Sequence, residues 1–272
     1  MLKPESKLTL DNLINLHRFP LNNLSGQSGC QLVKYCQESL AENGYILLKE
    51  FTTQDALERA RIECNELSPL AEYTVRYTNP YKTEDDPNLP LDHPKRHFSP
   101  RTNAFIVQSN FGDRSVFRTL YHSEIFKRFL AACIGLDIVY EYADPLGALV
   151  FNVLPSGGQH PWHFDENDFS IVLMIQPSEK GGVFEIAPNI RTFKSENYQQ
   201  VKQVLKGDSQ RIKAVGLNPG DLIVFNGKVS LHRVTKVVGS KERHTIVFSY
   251  TQKEGIVGRF ENNSKIFSVT NV

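Results

Sequence analysis

Cysteine is scarce in this 272-residue chain. The four present, Cys30, Cys36, Cys64 and Cys133, lack the paired spacing of a zinc site or a disulfide framework, and they fit a reducing compartment. Excess charge of one sign is also absent. The 31 Lys and Arg against 30 Asp and Glu give a formal net charge of +1, with no basic cluster that would mark a nucleic-acid binder. No apolar run approaches the roughly 20 residues needed to span a membrane, and the opening Met1-Leu2-Lys3-Pro4-Glu5 is not a signal peptide. The expectation is a soluble, cytoplasmic protein with neither nucleic acid nor membrane among its partners. A Gly-rich strand-to-helix phosphate loop is missing, which argues against nucleotide chemistry, and there is no internal repeat.

What the chain has is a succession of short strand patterns separated by Gly and Pro turns. Strands are expected at 45–51, 102–108, 138–142, 148–154, 169–175, 183–187, 211–215, 222–225, 231–234 and 243–251. Segment 169–175 is apolar on both faces, as in a central strand covered on each side. Helices are concentrated near the start. Cys30, Val33, Cys36 and Leu40 recur at helical spacing before Gly44, and Thr52 with Asp55 resembles a capping box for a second helix. Ser123 caps a third helix that ends at Gly135, and 195–205 forms a short fourth. This order predicts a mainly β protein with flanking helices, a double-sheet jelly roll of cupin-like type. One domain of 1–272 is expected, with helical support over 1–68, a lid loop over 69–101, the jelly-roll core over 102–251 and a tail over 252–272 that contains Arg259, Phe260 and Phe267.

Chemistry concentrates in His160-Pro161-Trp162-His163-Phe164-Asp165-Glu166-Asn167-Asp168. On extended backbone His163 and Asp165 project to the same face, and an imidazole with a carboxylate suits a borderline divalent metal. Far downstream, His232 would complete a set of two histidines and one carboxylate with coordination positions left open. From Arg243 to Ser249 the alternation puts Arg243, Thr245, Val247 and Ser249 on one face. If that face looks into a barrel, the buried guanidinium needs an anion, which a carboxylate cosubstrate would supply.

The order His-x-Asp, a distant His, then Arg eleven positions on and a hydroxyl residue two further resembles the Fe(II)/2-oxoglutarate-dependent oxygenases. The resemblance implies His163, Asp165 and His232 as iron ligands, Arg243 as the partner of the 2-oxoglutarate distal carboxylate and Thr245 as its hydroxyl helper. It also implies Fe(II), 2-oxoglutarate and O2 as cofactors. Asp144-Pro145-Leu146, His160-Pro161-Trp162-His163, Gly181-Gly182-Val183-Phe184-Glu185 and Leu231-His232-Arg233-Val234 are similar to the branch acting on free amino acids, which contains lysine hydroxylases and radical halogenases. In the halogenases a small residue replaces the iron-binding carboxylate. This chain keeps Asp165, so hydroxylation is expected, with release of succinate and CO2.

The substrate expected from that branch is a free amino acid, most simply a basic one such as lysine. His160 matches a position that helps hold its carboxylate. Arg96 or Arg101 could reach the same group from the lid by paired hydrogen bonds. Glu141 and Asp144 are candidates for the pocket wall with Tyr142, and Glu166 or Asp168 could pair with an ammonium group. Trp162 either lines the pocket or fills core, while Asn152 and Arg191 are weaker candidates. Two other classes stay open: a zinc or manganese hydrolase or isomerase on the same scaffold, and a binding module that keeps the sheets without the chemistry. Another small molecule or a protein side chain could also be the oxygenase substrate.

Overall fold

The computed structural model describes residues 8–258. Its helices are α1 (Leu10–Leu13), α2 (Gln27–Asn43), α3 (Gln54–Leu67), α4 (Val116–Tyr121), α5 (Glu124–Ile134) and α6 (Tyr198–Leu205). The strands in chain order begin with β1 (Tyr45–Leu48), β2 (Thr74–Thr78), β3 (Ser99–Asn103), β4 (Phe105–Val107), β5 (Tyr140–Glu141), β6 (Leu149–Leu154), β7 (His160–His163) and β8 (Phe169–Gln176). They continue with β9 (Lys180–Gly181), β10 (Phe184–Ala187), β11 (Lys213–Val215), β12 (Leu222–Phe225), β13 (Leu231–Val234), β14 (Val237–Val238) and β15 (Arg243–Thr251).

Two antiparallel sheets face each other. The larger runs β1-β12-β8-β15-β6-β4, with β5 joined to β15, and the smaller runs β11-β10-β13-β7. This is the jelly roll expected from the strand pattern. As its two apolar faces require, β8 lies inside the larger sheet between β12 and β15 and is buried along most of its length. One side of that sheet packs Ile171, Leu173, Ile246 and Phe248 against Cys36, Cys64, Phe126 and Phe129 of the helices. Between the sheets, Leu154, Phe184, Ile223, Phe225 and Val234 form a second cluster beside the cavity described below. All four cysteines are free thiols; Cys36, Cys64 and Cys133 are core packing on α2, α3 and α5, whereas Cys30, in the first turn of α2, is exposed.

Local signals place the helices with small displacements. Gly44 and Gly135 close α2 and α5 at φ 77° and 80°, left-handed values that a residue without Cβ adopts at little cost. Thr53, not Thr52, caps α3: its Oγ1 accepts from the Ala56 amide at 3.1 Å. The strand expected at 102–108 is two strands, β3 and β4, which belong to different sheets and meet at Ala104. The lid segment is partly regular, because β2 pairs with β3 and Asn79 organises the excursion beyond them. Helix α4, capped by Ser115, has no counterpart in the expected elements. No helix among the described residues is long and apolar enough to cross a membrane. Arg259, Phe260 and Phe267 lie outside the described residues.

Candidate metal centre

Strand β7 ends on His163, and β13 places His232 directly across from it in the smaller sheet. The two imidazoles therefore lie side by side, with ring centroids 4.2 Å apart. Asp165 follows in the turn after β7, where its amide donates to the Gly227 carbonyl at 3.0 Å. Asp165 Oδ1 is then 3.6 Å from His163 Nε2, and its Oδ2 is 3.3 Å from His232 Nε2. One ligand atom from each of the three residues falls within 4.8 Å of the others. Ligands at ~2.1 Å from one ion and at right angles to each other are ~3 Å apart, so these spacings suit a single divalent ion.

Hydrogen bonding selects the ligand nitrogens. His163 Nδ1 lies 2.8 Å from the Pro161 carbonyl, and His232 Nδ1 lies 2.9 Å from the Ser230 carbonyl. A carbonyl can only accept, so each Nδ1 carries the proton and each neutral ring keeps its lone pair on Nε2, the nitrogen facing Asp165. Burial, together with the neighbouring Arg101 charge, holds His163 well below the usual histidine pKa. Asp165 is held well below the usual carboxylate range although burial works toward its neutral form, and Lys82 is the cation beside it. Both shifts favour the states that bind metal. Ser170 Oγ donates to Asp165 Oδ2 at 2.7 Å and accepts from Asn167 Nδ2 at 2.9 Å, so the carboxylate is oriented from behind.

Across the cavity, β15 turns Arg243, Thr245, Val247 and Ser249 inward, as the alternation predicts. Arg243 is 3% exposed, and its Nη1 donates to Thr245 Oγ1 at 3.2 Å. Among the described residues no carboxylate pairs with it and its Nε has no hydrogen-bond partner, while burial pushes its pKa down to about 10. A buried guanidinium in this condition is half of an ion pair. Asn152, opposite Thr245 on β6, adds an unpartnered Oδ1. The cavity between the two poles measures about 150 Å³, the size of a small molecule. The residues present therefore fit Fe(II) at one pole and a carboxylate cosubstrate reaching the other.

Of the substrate candidates, His160, Arg101 and Glu166 line this cavity, and so does Tyr142 of the expected pocket wall. His160 is buried with no partner for Nε2; burial first, then the Arg101 and Arg243 charges, keep it neutral. The other candidates are held elsewhere. Arg96 makes a bidentate pair with Asp85 at 2.9 and 3.0 Å and donates to the Leu89 carbonyl, which ties it into the lid. Glu141 bonds to His122 and Lys127. Asp144 caps the Leu146 and Gly147 amides and accepts from the Gly258 amide. Trp162 packs with the α6 cluster, with the Arg233 guanidinium 4.6 Å from its ring centroid. Asp168 is paired with Lys228, and Arg191 with Glu196. Sequence reasoning missed Lys82, Ser170 and Gly227, all of which meet Asp165. Only Gly227, in the turn after an apolar strand, offered a signal.

Solved structures of similar fold share this arrangement of sheets. They include a 2OG-Fe(II) oxygenase family oxidoreductase from Burkholderia pseudomallei (TM-score 0.54, 15% identity), with 82% of this chain and 92% of that chain covered. AviO1 from Streptomyces viridochromogenes Tue57 aligns with TM-score 0.56 and 16% identity over 80% and 94% of the two chains. A Trichoplax adhaerens prolyl hydroxylase in complex with a hypoxia inducible factor peptide aligns with TM-score 0.54 and 11% identity over 92% and 100%. No curated protein matches the chain. The fold is that of the 2-oxoglutarate Fe(II) oxygenases, enzymes whose cofactors are Fe(II), 2-oxoglutarate and O2, and the ligand set at the site suits those cofactors. The chain belongs to the family described as Halogenase D, which matches it over residues 29–268.

Proposed function

We propose that this protein is an Fe(II)- and 2-oxoglutarate-dependent dioxygenase that hydroxylates a free amino acid, most simply a basic one such as lysine. The observation that carries the reading is the pairing of a ligand set at His163, Asp165 and His232 with a buried, uncompensated Arg243 across one small cavity. When bound, the iron and 2-oxoglutarate supply oxidative decarboxylation to succinate and CO2 coupled to hydroxylation of a C–H bond. The chain holds the ion through the two Nε2 lone pairs and Asp165. Arg243 and Thr245 receive the distal carboxylate by charge-assisted hydrogen bonds in a site sheltered from water, which fixes the cosubstrate's orientation. A hydrolase would leave the Arg243 charge without a task.

Asp165 favours hydroxylation over halogenation, because its carboxylate fills the position that a halide would need. For the substrate, the buried Arg101 and the neutral His160 offer donors to a carboxylate, while Glu166 offers the cavity an acid for an ammonium group. Another small molecule or a side chain with the same charges would meet the same residues. The test is a panel of free amino acids given to the Fe(II) protein with 2-oxoglutarate and air, with succinate and product mass recorded. Succinate coupled to one added oxygen on a basic amino acid supports the whole reading. Slow succinate release that no amino acid stimulates removes the substrate and leaves the oxygenase.

A further inference from the structure

The lid delivers a lysine to the metal centre. Lys82 Nζ lies 3.9 Å from Asp165 Oδ1, and its side chain is 13% exposed. The backbone that holds it there is unusual, because Lys82 sits at φ 54° in the left-handed region without being glycine. Asn79, fully buried, keeps it so. Its Oδ1 accepts from the Tyr81 and Thr83 amides at 3.0 and 3.2 Å, and its Nδ2 donates to the Thr83 and Lys95 carbonyls at 2.8 and 2.7 Å. The turn is also fastened to the metal motif: the Phe164 amide donates to the Pro80 carbonyl at 2.9 Å, and the Tyr81 and Phe164 rings pack at 5.3 Å. A surface lysine would need none of this.

We infer that Lys82 is a positioning residue that couples metal loading to cosubstrate loading, an inference resting on the reading above that the triad holds a divalent ion beside 2-oxoglutarate. The ammonium and a divalent ion compete for the charge of the Asp165 carboxylate, so Lys82 opposes metal binding while the cations lining the cavity, Lys82, Arg101 and Arg243, outnumber its acids, Asp165 and Glu166. Arg101 and Arg243 add positive charge to the same cavity, and Glu166 is the other acid that lines it. A dicarboxylate brings negative charge that the ion and Lys82 can share. Each then tightens the other, by the same factor in both directions. The site is thereby kept from holding bare redox-active iron.

The test is calorimetric titration of the full-length chain with Co(II), alone and with 2-oxoglutarate present, in wild type, K82M and K82R. In wild type 2-oxoglutarate should tighten Co(II) by about tenfold or more, the usual scale of coupling between sites. K82M should bind Co(II) alone about tenfold more tightly than wild type and lose most of the gain from 2-oxoglutarate, while K82R keeps it. Thermal melts check that each variant is folded, and K82N, whose side chain tolerates left-handed backbone, replaces K82M if that variant is not. Unchanged or weaker Co(II) binding in the charge-removing variant, or an unchanged gain from 2-oxoglutarate, overturns the inference. Failure of the wild type to bind Co(II) at all would instead overturn the functional reading, and the Lys82 role with it.

Discussion

The Asp165 carboxylate occupies the space that Gly227 leaves by having no side chain: a Cβ at position 227 would lie 2.2 Å from Oδ2 and 2.8 Å from Cγ. The Gly227 carbonyl also accepts from the Asp165 amide, so one residue both anchors the turn and clears its end. Gly227→Ala should therefore displace the carboxylate and weaken divalent-metal binding by tenfold or more, at a stability cost of about 1–3 kcal/mol. In an Asp165→Gly background the same change should cost much less stability, since the clash is gone. Calorimetric metal titration and urea melts of the four proteins in this cycle measure both effects.

Arg243 stands buried without a carboxylate partner among the described residues, so its contributions to stability and to binding should have opposite signs. Arg243→Met should leave the metal-free protein as stable as wild type or more so. It should also weaken 2-oxoglutarate binding by ~10²-fold, about 3 kcal/mol, because a charge-assisted pair sheltered from water is lost. Thermal shift with and without 2-oxoglutarate separates the two: the ligand-induced rise should vanish in the variant.

His160 and His163 are both held well below the ordinary histidine value of 6.5, chiefly by burial. A histidine with a depressed folded pKa takes up its proton in the unfolded chain first, so its stability contribution is complete above about pH 6.5 and is lost as pH falls below it. The loss is up to ~1.4 kcal/mol per pH unit for each such histidine. Asp165, with its pKa also held low, keeps its contribution through that window. Metal-free protein should therefore unfold at progressively lower urea from pH 6.5 to 5, and His160→Gln should reduce the slope. A flat profile would contradict the assignment of both rings as buried and neutral.

Glu166 is the acid within the cavity that lies outside the metal ligands. If it receives a substrate ammonium, Glu166→Gln should raise KM for the preferred basic amino acid about tenfold, the cost of one charge-assisted contact, with a much smaller change in kcat. Equal effects for basic and uncharged amino acids would remove Glu166 from substrate recognition.

That His163 and Asp165 come together, and that Arg243 and Thr245 share the inward face of β15, could be read from strand alternation, and β12, β13 and β15 have the bounds expected for them. The glycine caps of α2 and α5 were legible for the same local reason. Residues whose role depends on pairing across the fold were not. Arg96 and Arg101 are equivalent as letters, but β3 carries Arg101 to the cavity while Asp85 captures Arg96 in the lid. Glu141 and Asp144 stand near the site in the chain, yet His122, Lys127 and the Gly258 amide engage them first. Lys82 gave no sign, because its approach to Asp165 depends on the buried Asn79 network and not on any pattern around residue 82.

The most direct measurement is succinate formation from 2-oxoglutarate in air by the Fe(II)-loaded protein, compared with Asp165→Ala and Arg243→Met. Fe(II)-dependent succinate release by wild type, abolished in the first variant and restored only at much higher 2-oxoglutarate in the second, is the expected result. Absence of succinate together with absence of 2-oxoglutarate binding to the Fe(II) protein, or turnover that does not require 2-oxoglutarate, would contradict it.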